Sequence, residues 1–125
     1  MKVIFLACLF AFVSTHRLYD DVLPIDMLAL AKKPEELNKF MDCLLDRGRC
    51  NDVYIGYRVY TPQSVRESCK RCTTDQKIFV YLFLETLKRL LPKSYHEFRH
   101  KYDPNNEYFD NLEAVVYKYK FEPCQ

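Results

Sequence analysis

The sequence predicts an all-α fold of six helices, and three observations carry that expectation. Only two glycines, Gly48 and Gly56, occur in 125 residues, whereas a chain of strands needs turn glycines at regular intervals. Apolar residues recur at spacings of three and four over long stretches, the period of a helix face. Helix-start signals punctuate these stretches: Pro34, Pro62, and Thr73 followed three residues later by Gln76, the pattern of a capping box.

The first segment is not part of that fold. Met1-Lys2 is followed by an apolar run from Val3 to Val13 and then by Ser14 and Thr15, the layout of a secretory signal peptide. The run is too short for a membrane span, which needs about 20 apolar residues, and no later segment is long enough either, so no stable membrane insertion is expected. Residues 1–15 are therefore read as a signal, with cleavage near Thr15 or His16, residues 16–120 as one domain, and 121–125 as a tail. Losing Lys2 lowers the formal net charge from +2 to +1. A near-neutral surface of mixed sign is not a nucleic-acid footprint. The chain has no Asn-x-Ser/Thr acceptor.

The domain opens with an extended arm, Tyr19 to Pro24. Met27, Leu28, Leu30 and Ala31 suit a short first helix that ends before Pro34, which cannot continue it. Pro34 begins the second helix, whose face is Leu37, Phe40, Met41, Leu44 and Leu45, and Arg47-Gly48 ends it with a glycine cap. Asn51 to Tyr60 is the least regular stretch and reads as a loop with a short strand-like piece at 53–60. Thr61-Pro62 reads as cap and first turn of a third helix reaching about Arg71. After the capping box, Ile78 to Leu84 is a run of seven apolar residues. A buried strand could look like this, but the pattern continues through Leu87, Leu90 and Leu91, too long for a strand. A helix apolar on all sides belongs inside the protein, so this is the central one. Pro92 separates it from a fifth helix near 94–100, with Tyr95 and Phe98 inward. Lys101 to Asn106 is a turn by composition, and a sixth helix near 107–119 carries Phe109, Leu112, Val115 and Val116.

Cys8 leaves with the signal, so five of the six cysteines remain: Cys43, Cys50, Cys69, Cys72 and Cys124. An exported chain folds in an oxidising compartment that permits disulfides. Four cysteines allow three pairings. The local one, Cys43 with Cys50 and Cys69 with Cys72, is preferred because each pair is close enough to close its own small ring, and the long-range pairings stay open. Cys124, left over, forms no bridge within the domain on this reading; it is free, capped, or joined to a second copy as a disulfide-linked homodimer. The x6 spacing of the first pair does not suit a zinc site, so no metal or other cofactor is expected. Cys69-Lys70-Arg71-Cys72 ends one helix and precedes another, not the strand–helix context of thioredoxin chemistry. A nucleophilic cysteine with His96 or His100 is weaker still, and no catalytic residue is assigned.

The spacing Cys-x6-Cys-x18-Cys-x2-Cys resembles that of the insect chemosensory proteins. The flanking residues agree: Leu44-Leu45-Asp46-Arg47-Gly48-Arg49 between the first two cysteines, Pro62 seven residues before Cys69, Gln76-Lys77 after Cys72, Pro92, and Lys101-Tyr102-Asp103-Pro104. The likeness spans Tyr19 to Tyr108. It departs from the family at Tyr95, where many members carry Trp, at Phe40, where many carry Tyr, at Arg49 in place of Pro, and in the tail with Cys124. The six-cysteine odorant-binding proteins differ by a Cys-x3-Cys that is absent here.

The resemblance implies six helices around a hydrophobic channel, secretion into an extracellular fluid, and reversible binding of linear apolar molecules such as fatty acids, alcohols, aldehydes or esters. Motif matching nominates Tyr19, Phe40, Leu44, Gln76, Val80 and Tyr95 as ligand-binding residues, with Met41, Leu84 and Leu87 as neighbours. The composition is compatible: ten Tyr, nine Phe and no Trp, with tyrosine offering an apolar ring face and a hydroxyl able to meet a head group. The competing expectation is a secreted helical interaction or developmental protein with a filled interior, acting through its surface or through a partner linked by Cys124.

Overall fold

In the computed structural model the described residues are Tyr19 and 21–120. The expectations for the signal segment and for Cys124 lie outside them. Six helices form and no strand appears among these residues: α1 (Met27–Ala31), α2 (Pro34–Leu44), α3 (Tyr54–Arg66), α4 (Thr74–Leu90), α5 (Pro92–Tyr102) and α6 (Phe109–Tyr117). The all-α expectation holds.

Local chemistry sets most of the boundaries. Asp26 caps α1, its Oδ1 accepting from the Ala29 N–H at 3.1 Å. Pro34 starts α2. The end of α2 differs from the expected glycine cap. The left-handed residue is Asp46, φ 60°, and no glycine has positive φ. The Arg47 N–H reaches back to the Asp42 carbonyl at 2.7 Å, and the Asp46 N–H to that of Cys43 at 3.2 Å, the double bond of a Schellman motif. Gly48 answers a different constraint: a Cβ there would lie 3.1 Å from Cβ of Asp42, a tight approach.

The stretch from 51 to 60 corrects the sequence reading. From Tyr54 on it is the N-terminal half of α3, and Pro62 lies inside that helix, not at its start. The cap is Asn51, whose Oδ1 accepts from the N–H groups of Val53 and Tyr54 at 3.0 and 2.7 Å. The Asn51 carbonyl already takes a helical bond from Ile55 at 3.0 Å. A proline inside a helix forfeits one backbone bond. The helix also stops at Arg66, short of the expected Arg71, in a second Schellman motif with Ser68 left-handed at φ 53° and the Cys69 N–H on the Ser64 carbonyl at 2.8 Å.

α4 begins with a complete capping box: Thr73 Oγ1 accepts from the Gln76 N–H at 3.2 Å, and Gln76 Oε1 accepts from the Thr73 N–H at 3.0 Å. α6 starts at Phe109, two residues later than expected, because the buried Asp103 carboxylate gathers the N–H groups of Glu107, Tyr108 and Phe109 at 2.8–2.9 Å. The disulfides are Cys43–Cys50 and Cys69–Cys72, with Cα atoms 4.8 and 5.0 Å apart, so the local pairing is the one formed.

α4 packs against α1, α5 and α6, while α3 packs against α2, α5 and α6. A ladder of edge-on rings, Phe40–Phe83–Phe98–Phe109, with centroids 5.3–5.9 Å apart, runs through the core. Each such side chain, fully buried, is worth roughly 1.5–3 kcal/mol of transfer free energy. The apolar run 78–82 of α4 is only half-buried, and of it Phe79 and Val80 border empty space.

Candidate ligand cavity

The empty space lies between the inner faces of α3 and α4. α3 contributes Tyr57, Tyr60, Thr61, Ser64 and Val65, and α4 contributes Gln76, Phe79, Val80, Phe83 and Leu84. Both sets follow helical spacing, so each is a single stripe. Phe40 and Leu44 of α2, Phe98 of α5 and Leu112 of α6 close the floor, and Cys69 and Cys72 stiffen one corner. The space free of protein atoms, mouth included, is about 670 Å³, of which about 80 Å³ is wide enough for the centre of a water molecule. This is a narrow slot: the part wide enough for a water centre is well below the range of small-molecule pockets, about 300–1,000 Å³, so a chain must widen the slot as it enters.

The arm crosses the slot. The Tyr19 ring stacks on Tyr60 with centroids 4.3 Å apart. Its N–H donates to the Arg71 carbonyl at 3.2 Å, and its carbonyl accepts from Gln76 Nε2 at 2.5 Å. Val22 sits over Gly56, where a Cβ would meet Val22 Cγ1 at 3.6 Å, an ordinary contact.

The polar atoms of the wall are turned to protein partners. The Tyr19 hydroxyl donates to Gln63 Oε1 at 2.9 Å, that of Tyr57 to the Leu23 carbonyl at 2.7 Å, and that of Tyr60 to Asp21 Oδ2 at 3.0 Å. Thr61 Oγ1 donates to the Tyr57 carbonyl at 2.5 Å. Burial pushes the Tyr57 phenol up to about 12 and raises that of Tyr19 as well, so both stay uncharged at neutral pH. The slot therefore meets its contents with ring faces and alkyl groups, not with the hydroxyls that the tyrosine-rich composition suggested.

Of the nominated residues, Tyr19, Phe40, Leu44, Gln76, Val80 and Leu84 line the slot. Met41 and Leu87 are fully buried away from it. Tyr95 also lies off it: its hydroxyl donates to Glu113 Oε2 and accepts from Arg99 Nη1. The largest single group of lining residues that sequence reasoning left out is on α3. Their signal was present, since Tyr57, Tyr60 and Ser64 recur at three and four.

Among the described residues no helix is long and apolar enough to cross a membrane, and no group of three or more His, Cys, Asp or Glu is placed to hold a metal ion.

Comparison with known proteins agrees with this architecture. A family model described as the insect pheromone-binding family, A10/OS-D, matches residues 16–110. The chain belongs to that family of small-ligand carriers, the insect chemosensory proteins. Among its relatives, the allergen Tha p 1 of Thaumetopoea pityocampa is 30% identical over 95 residues, covering 73% of this chain and 75% of the relative. Ejaculatory bulb-specific protein 3 of Drosophila melanogaster is 21% identical over 92 residues, 74% of this chain and 73% of the relative. No solved structure matches the chain. The family is a binding family, not an enzymatic one.

Proposed function

We propose that this chain is a secreted carrier that reversibly binds long-chain aliphatic molecules, such as fatty acids, alcohols, aldehydes or esters, in the slot between α3 and α4. The observation that carries the reading is an apolar slot whose wall hydroxyls already have protein partners. Such a surface can hold an alkyl chain but offers nothing to a sugar, nucleotide or peptide backbone. Secretion rests on the signal-like leader and on the family. Tyr19, Phe40, Leu44, Gln76, Val80 and Leu84 are the proposed contacts, with Tyr57 and Phe79 added from the geometry.

The driving force is removal of the chain from water, about 0.8 kcal/mol per buried CH2, or about 9 kcal/mol gross for a dodecyl chain. A micromolar complex needs about 8 kcal/mol, so ordering and association costs hold the affinity at micromolar or weaker. Selectivity comes from length and shape. Displacement of a fluorescent apolar probe by a series of alkyl chains tests the reading: it requires a length optimum. No displacement at any length would turn the assignment to a helical protein that acts through its surface.

A further inference from the structure

The outer face of α3 is apolar where a solvent-facing helix stripe is ordinarily charged. Within α3 only Ile55, Val59 and Arg66 are exposed. At 3.6 residues per turn they fall, with the half-buried Pro62, on one stripe. That stripe lies opposite Tyr57, Tyr60 and Ser64, which line the slot. Ile55 and Val59 are 46% and 59% exposed. The stripe continues one turn back to Asp52, which is exposed as well. Asp52 already belongs to the helical path, since the Asn51 carbonyl takes the Ile55 N–H at 3.0 Å.

The two ends of the stripe carry opposite charges, evenly placed. Asp52 stands seven residues before Val59 and Arg66 seven residues after it, about 10 Å either way along the axis. The charges beside them are committed elsewhere: Arg58 bonds Asp46 at 2.8 Å, and Glu67, just past the helix end, pairs with Arg71 at 3.4 Å. Neither Asp52 nor Arg66 has an ion-pair partner among the described residues. A two-fold axis through Val59 sets α3 antiparallel to its copy. Val59 then meets Val59, Ile55 meets Pro62, and each Asp52 meets an Arg66. One isologous contact thus satisfies both ion pairs. An anionic lipid surface would attract Arg66 but repel Asp52, so the charges fit a second copy better than a membrane.

We propose that the outer stripe of α3 is a self-association surface, at which two copies of this chain pair antiparallel about Val59. One helix of 13 residues offers a strip about 20 Å long and about 10 Å wide. That is well short of the roughly 1,200–2,000 Å² that a stable complex buries. The dimer is therefore weak, with Kd on the order of 0.1–1 mM, and exchanges with the monomer. The slot lies on the opposite side of α3 and stays accessible in both copies. The proposal stands apart from the carrier reading and from any covalent link through Cys124.

Sedimentation equilibrium on the full chain tests it, with Cys124→Ser in every sample so that no covalent dimer contributes. From about 10 µM to about 1 mM, the chain with its own charges should show a concentration-dependent dimer. Val59→Arg puts like charges on the axis, and Asp52→Arg or Arg66→Asp puts like charges together at both ends. Each exchange should weaken association by about tenfold or more. Mixing equal amounts of the Asp52→Arg and Arg66→Asp chains brings opposite charges together again at both ends. That mixture should associate within about threefold of the starting chain. All three positions are exposed, so circular dichroism should show unchanged helix content. A monomer at every concentration, a dimer that the three exchanges leave intact, or singly exchanged chains that do not associate when mixed would overturn the proposal. Capture on phosphatidylcholine–phosphatidylserine vesicles that Val59→Arg abolishes, with no self-association, would assign the face to lipid and overturn it too.

Discussion

Phe40→Ala and Leu87→Ala together separate slot wall from plain core. Both side chains are fully buried, at 1% and 0% exposure, but only Phe40 borders the slot. Phe40 meets Tyr54, Tyr57, Phe79 and Phe83 edge-on with centroids 4.9–6.2 Å apart. Its truncation should cost about 3–5 kcal/mol, and that of Leu87 about 2–5 kcal/mol. These are large fractions of a typical total of about 5–15 kcal/mol. Stability alone does not distinguish them; the response to ligand does. The slot is narrow, so a chain entering the wild type must first part its walls. Phe40→Ala makes that opening in advance, and binding should tighten by about tenfold, which adds about 1.4 kcal/mol of ligand stabilisation at a fixed excess of dodecanol. Leu87→Ala should gain only what the wild type gains. Urea denaturation of all three proteins with and without dodecanol measures both quantities. Equal ligand gains in the two variants would refute the assignment of Phe40 to the wall.

Three further outcomes follow from the elements around the slot. Asn51→Ala removes the cap of α3 and should lower stability by about 1 kcal/mol, with faster amide exchange confined to the first turn of that helix; an unchanged exchange map would point to another cap. Burial alone would raise the Asp103 carboxylate, but three backbone N–H groups and Arg99 hold it below its ordinary 3.8. Its contribution is therefore complete above that unfolded-state value and is lost as pH falls through the lower folded value. Urea midpoints taken from neutral to about pH 2 should show an acid limb that is smaller in Asp103→Asn, and an identical limb would remove Asp103 from the account. Replacing either cysteine pair by serine should cost about 2 kcal/mol per small ring on the chain-entropy model, read from thermal melts, and a neutral double variant would show the ring to be dispensable.

The legible parts of the sequence were those where one signal had one meaning. Thr73 and Gln76 wrote a capping box that formed both of its bonds, and Pro34 stood at a helix start. The fold class followed from these and from the scarcity of glycine. α3 was misread because its signals had two meanings. Thr61-Pro62 looks like a cap and a first turn, yet the Thr61 hydroxyl bonds back to the Tyr57 carbonyl and Pro62 sits in mid-helix. The inward face of α3 carries Tyr57, Tyr60, Thr61 and Ser64, which read as polar although they line an apolar slot. The slot was legible only through family likeness, and only in part. Motif matching reached Phe40 and Val80 but also took in Tyr95, which the Glu113–Arg99 cluster holds elsewhere. The left-handed turn at Asp46 was invisible beside Gly48, the residue expected to make it.

The central claim is that an alkyl chain leaves water for the slot between α3 and α4, and isothermal titration calorimetry along a series of primary alcohols tests it most directly. Each added methylene should tighten Kd by about fourfold up to an optimum length, the equivalent of about 0.8 kcal/mol. The heat-capacity change should be negative and should grow with chain length. An affinity that stays flat with length, or a heat-capacity change near zero, would contradict burial of the chain in that slot.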